Sequence, residues 1–206
     1  MSRAPSHPST RWPEREACGS TRRVSEANGH AWASLLRSYD VSDGTATRMI
    51  EALVASEVAA LAFCRLLDRW ARGEPDPVTP GRREAALRRA AERAETALAG
   101  LERPLARFLL ELEPDRVEGR SWYGEPGAGE VLEWGEVLRR AGVSACPNRV
   151  AQAYLELAVL VRALQGLAAS ARVGAPPARA ALWAGLFDLR ENLFGGALDD
   201  LRALAA

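Results

Sequence analysis

The chain has 206 residues, 48% of them apolar, enough for one substantial core and, at this length, for one domain rather than two. Twenty-seven basic residues balance twenty-seven acidic ones, so the sequence lacks the positive field that drives general nucleic-acid binding, and no nucleic-acid partner is expected. Every basic residue is arginine, which excludes lysine Schiff-base chemistry and a lysine-bearing phosphate loop.

Residues 1–28 are rich in Arg, Ser and Pro and have no hydrophobic period, so they are expected to form a disordered tail, with an all-helical domain over 29–206. The segment Ser20-Thr21-Arg22-Arg23-Val24-Ser25 looks like a twin-arginine export motif. Polar Glu26-Ala27-Asn28-Gly29-His30 follows where an export signal needs an apolar run, so the expected location is the cytoplasm. A short helix is predicted near Ala31–Tyr39, then a loop in which Ser42-Asp43-Gly44-Thr45 can cap the next helix. That helix, about Ala46–Ala71, presents Ile50, Leu53, Val54, Val58, Leu61, Phe63, Leu66, Leu67 and Trp70 as a wide apolar face and is expected to be core.

Prolines 75, 77 and 80 break the pattern. A charged amphipathic helix follows at about Arg82–Ala99, its buried side marked by Leu87, Leu98 and alanines, which predicts close but thin packing. Pro104 suits a first helical turn and is expected to open a separate helix over Leu105–Leu112. Residues 113–129 form the longest irregular stretch inside the domain, a length that is often functional. Further helices are predicted at about Glu130–Ala141, Asn148–Ala171, Pro177–Leu193 and Ala197–Leu204. The segment around Leu155, Leu157, Val159, Leu160, Val161 and Leu164 is apolar nearly all round, as a central helix would be. No run of alternating β-branched residues is long enough for a strand, so the fold class is all-α: a single-domain bundle of about seven to eight helices.

Residues for chemistry are scarce. The only histidines, His7 and His30, lie in or beside the tail, and Cys18, Cys64 and Cys146 are too scattered for a disulfide framework or a zinc site. No metal, cofactor or catalytic residue is therefore expected. Cys146 precedes Pro147 at a helix start, where a thiolate is favoured, but no histidine in the folded region can serve as its base. Glu111, Glu113 and Asp115 do not share a helix face and fit helix-end solvation, and Asp199-Asp200 fits a solvated face. Glu57 interrupts one apolar run, and Glu156 and Arg162 another, below the length of about 18 residues that spans a bilayer, so no membrane insertion is expected. Trp122 and Tyr123 fall in the irregular stretch, where large aromatics either suit a protein interface or fold back onto the domain.

The order of Ser121-Trp122-Tyr123, Glu130 to Val143, Pro147-Asn148-Arg149-Val150 and Tyr154-Leu155-Glu156-Leu157 resembles the assembly chaperones of molybdenum oxidoreductases, the TorD, DmsD and NarJ group. Tyr154 to Leu157 looks closest to the NarJ-like branch, and Leu186 to Phe194 is similar to the family's last amphipathic helices. Asn148-Arg149 stands where many TorD-type members carry Asp-His. The resemblance implies a non-enzymatic cytoplasmic protein that binds the apo catalytic subunit of a molybdopterin oxidoreductase and assists cofactor insertion before export or assembly. Trp122, Tyr123, Arg149, Tyr154 and Glu156 are then the candidate partner-binding residues, with Glu156 placed to meet a client arginine. Two other functions fit an all-helical chain: a helical regulatory or interaction protein of another family, and an all-α enzyme acting on an apolar small molecule.

Overall fold

The computed structural model describes residues 21–74, 80–113, 126–143, 146–174 and 176–206, and among these all regular structure is helical. Seven α-helices follow one another: α1 (Thr21–Leu36), α2 (Asp43–Ala71), α3 (Pro80–Leu112), α4 (Ala128–Arg140), α5 (Pro147–Arg172), α6 (Arg179–Asn192) and α7 (Leu198–Ala205). A single π-helical turn, Leu193–Ala197, joins α6 to α7. The all-α class predicted from hydrophobic spacing is thus the observed one. Trp122 and Tyr123 lie outside the described residues.

The centre of the bundle is α5, which packs on α1, α2, α4, the π turn and α7. Pro147 takes its first turn, where a missing N–H costs nothing, and Val150, Leu157, Leu160 and Val161 are fully buried. By length and composition alone α5 is apolar enough to cross a bilayer, Glu156 and Arg162 notwithstanding, and 61% of its most apolar window is covered by the other helices.

Three segments depart from the sequence expectation. Helix α1 spans Thr21–Leu36, longer and earlier than the short helix expected near Ala31–Tyr39. Helix α3 runs unbroken through Pro104, which was expected to open a new helix. An interior proline costs about 3 kcal/mol, and what outweighs it is the burial on both sides: Leu98, Leu101, Leu105, Phe108 and Leu112 are all fully buried. Finally, α6 does not stop before α7, because the π turn carries the helical path across Gly195-Gly196.

Contacts between helices fix the register. Helices α2 and α3 lie antiparallel, since Trp70 receives the Arg83 guanidinium 5.9 Å above its ring, Ser56 Oγ donates to Ala97 O at 3.2 Å, and Thr45 Oγ1 donates to Glu111 Oε1 at 2.7 Å. Helix α1 returns along α2 through residues 37–42, with Asn28 Nδ2 donating to Glu57 Oε1 at 2.6 Å.

The start of α2 is capped from a distance. Ser42 makes no capping bond to its own helix; instead its N–H and Oγ donate to Glu111 Oε2 at 2.9 and 2.8 Å. The carboxylate of α3 therefore sits at the positive end of α2, and the Thr45 hydroxyl, then the Ser42 N–H and Oγ, hold Glu111 down to about 2 in pKa. Helix-end solvation, the expectation for Glu111, is replaced by capping across the fold.

Candidate functional site

Helix α2 has more apolar surface than the core can take. Leu53, Phe63, Leu67 and Trp70 face inward and are buried, but Ile50, Val54, Val58 and Leu66, expected to be core, are only half-buried. They fall on one stripe at spacings of four and eight, and α3 opposes them with Ala86 and Ala90. Because an alanine reaches one carbon from the backbone, the space between the two helices is left open as a groove of about 900 Å³. Its floor is aliphatic, and exposed Glu51, Arg89 and Arg93 stand on its rim. The sequence signal for it was the pairing of an over-wide apolar face on one helix with an alanine-rich face on the next.

A smaller hollow of about 390 Å³ lies at the other end of α3, between Leu109, Leu110 and Trp183. There Trp183 stacks on Phe187, ring centroids 4.8 Å apart, and Leu110 is 69% exposed.

The residues singled out from the sequence are not brought together at either place. Tyr154 points from α5 toward α2 and α4: its ring lies 4.5 Å from that of Trp134, and its hydroxyl donates to Asp68 Oδ1 at 2.6 Å. It is 3% exposed, so it serves packing rather than a surface. Glu156 lies on another face of α5, buried beneath the π turn, where it accepts a hydrogen bond from Gln152 and where a Cβ on Gly196 would come within 3.5 Å of both carboxylate oxygens. Arg149 is exposed and pairs with Asp200 of α7 at 3.5 Å. Arg149 and Glu156 thus share the side of α5 that meets the π turn and α7, while Tyr154 does not.

Buried polar groups are tied into the scaffold. Glu57 is 3% exposed and joins three helices: Asn28 of α1 donates to it, and Arg172 of α5 donates in turn to Asn28 Oδ1. Burial pushes the Glu57 carboxyl up, against the opposing pull of Asn28, the adjacent Trp32 indole and the Arg172 charge. Burial likewise raises Asp68, which the Tyr154 hydroxyl and Arg72 partly offset. The Cys64 thiol, buried and donating to Tyr154 O at 3.9 Å, is pushed far up by desolvation and is inert as a nucleophile at neutral pH. Cys146 is exposed, at the start of α5, with a left-handed backbone (φ 45°). Among the described residues no three His, Cys, Asp or Glu side chains gather as metal ligands.

Comparison with protein-family models, with curated proteins and with solved structures returned no match.

Proposed function

We propose that this protein is a cytoplasmic assembly chaperone of the TorD, DmsD and NarJ type, which holds an apolar helical segment of an apo molybdenum-oxidoreductase catalytic subunit while the cofactor is inserted. The observation that carries the binding role is the groove between α2 and α3, with Ile50, Val54, Val58 and Leu66 as its floor and Arg89, Arg93 and Glu51 at its edge. An aliphatic floor with a charged rim is what an amphipathic helix lays its apolar face into. The identity of the client rests on the resemblance of residues 121–157 to that chaperone group. Protein binding requires no reactive constellation, and the work is done by apolar burial at about 25 cal/mol for each Å² removed from water.

The test is to isolate the protein from its native host under mild conditions, identify the chains that come with it, and measure molybdoenzyme activities after deleting its gene. Recovery of an apo molybdopterin oxidoreductase subunit and loss of that enzyme's activity is the expected result. Recovery of a different protein with molybdoenzyme activities intact would leave a helical interaction protein of another family and remove the molybdoenzyme assignment.

A further inference from the structure

The groove between α2 and α3 lies beside the chain's own N-terminal segment. Gly29 of α1 sits against Val54, one of the groove residues: a Cβ added at Gly29 would lie 3.9 Å from Val54 Cγ2. From the pairing of Asn28 with Glu57, the seven residues back to Thr21 carry α1 about 10 Å further along α2, to the level of Cys64 and hence to the Leu66 end of the groove. The lining from Ile50 to Leu66 covers about 24 Å of helix. Chain preceding Thr21 spans up to about 3.3 Å for each residue step, so the nine steps from Thr21 back to Trp12 can bring Trp12 to any point along that length.

The chemistry of the segment matches the groove. Trp12 is the one aromatic residue in 1–20, and Glu14 and Glu16 follow it with Arg11 and Arg15 interleaved. An indole on the aliphatic floor buries the largest apolar side chain available, and two carboxylates beside it meet the Arg89 and Arg93 rim while an arginine meets Glu51. We propose that residues 11–16 of the same molecule occupy the α2–α3 groove when no client is bound, with Trp12 on the floor, so that a client must displace them. The regulatory consequence rests on the groove being the client site; the occupancy itself does not.

The experiment uses the full chain, purified without client, carrying a benzophenone side chain in place of Trp12, irradiated and mapped by mass spectrometry. Crosslinks are expected within one molecule, to residues 50–66 or 86–93, and their yield should fall about tenfold when Val58→Glu places a charge on the floor. A charge swap supplies a second readout: Arg89→Glu with Arg93→Glu should lower the yield about threefold, and adding Glu14→Arg with Glu16→Arg should restore it. Crosslinks that land elsewhere, that ignore both sets of substitutions, or that join isotope-labelled to unlabelled chains overturn the proposal, the last in favour of a second copy. Because no client is present, failure here leaves the client experiment untouched, and the reverse also holds.

Discussion

Replacing Glu57 by glutamine should change how stability depends on pH, with a sign fixed by where that carboxyl sits. Glu57 is buried between α1, α2 and α5, and burial raises its pKa in the folded protein above the ordinary 4.5. The folded state therefore keeps a proton that the unfolded chain has released. Stability is fully present below about 4.5 and is lost as pH rises through the raised folded value. One proton sets a ceiling of about 1.4 kcal/mol for each pH unit, reduced by screening where Arg172 opens to solvent. In Glu57→Gln the amide still offers an oxygen to Asn28 but has nothing to ionise. Asp68 and Asp200, both raised by burial, keep their share of the slope in both proteins. Urea unfolding by circular dichroism at a series of pH values from 4.5 to 8 should show the variant gaining on wild type as pH rises. Asn28→Ala should do the opposite, losing about 1–3 kcal/mol by taking a hydrogen bond from a buried carboxyl group. A wild-type-to-Gln difference that stays constant, or shrinks with rising pH, would refute the placement of Glu57 in the core.

Glu111, held down to about 2, has the opposite sign: its contribution is present above 4.5 and disappears as pH falls toward 2. Glu111→Gln should melt below wild type at neutral pH, and the two melting curves should converge on acidification through that window. Gly142 closes α4 with a left-handed residue (φ 86°), Val143 N–H donating to Leu138 O at 2.9 Å. Gly142→Ala should cost about 1–2 kcal/mol in denaturant unfolding, and a neutral effect would contradict that cap. Tyr154→Phe removes the hydroxyl from Asp68 and should cost about 1–2 kcal/mol, a hydrogen bond to a charged group discounted for the partial exposure of Asp68, while client capture is unchanged. A specific loss of capture would return Tyr154 to the binding surface.

What the sequence made legible follows from which signals are local. The all-round apolar run in α5, the proline at its head and the end of α4 near Ala141 are each written within a few residues, and each is where spacing and backbone preference place it. Pro104 was misleading because its local penalty is outweighed by Leu101, Leu105 and Phe108, whose burial depends on helices far along the chain. Tyr154 and Glu156 were expected on the binding surface because of the resemblance to the chaperone group, and the spacing of α5 alone does not show which side chains they meet. The partner of Tyr154 is Asp68, eighty-six residues earlier. The groove was hidden for a related reason: periodicity marks Ile50, Val54 and Val58 as apolar, but only the alanines of α3 decide that they are left partly uncovered.

The binding role stands or falls on one substitution. Val58 is half-buried on the groove floor and outside the main core, so Val58→Glu should leave the helical signal and cooperative melt intact. Capture of the apo catalytic subunit from host extract by tagged wild-type and Val58→Glu protein, at matched concentration, is the direct measurement. A loss of about tenfold or more, corresponding to at least about 1.4 kcal/mol, is expected for the variant. Equal capture by a folded Val58→Glu protein would contradict the assignment of the α2–α3 groove as the client site.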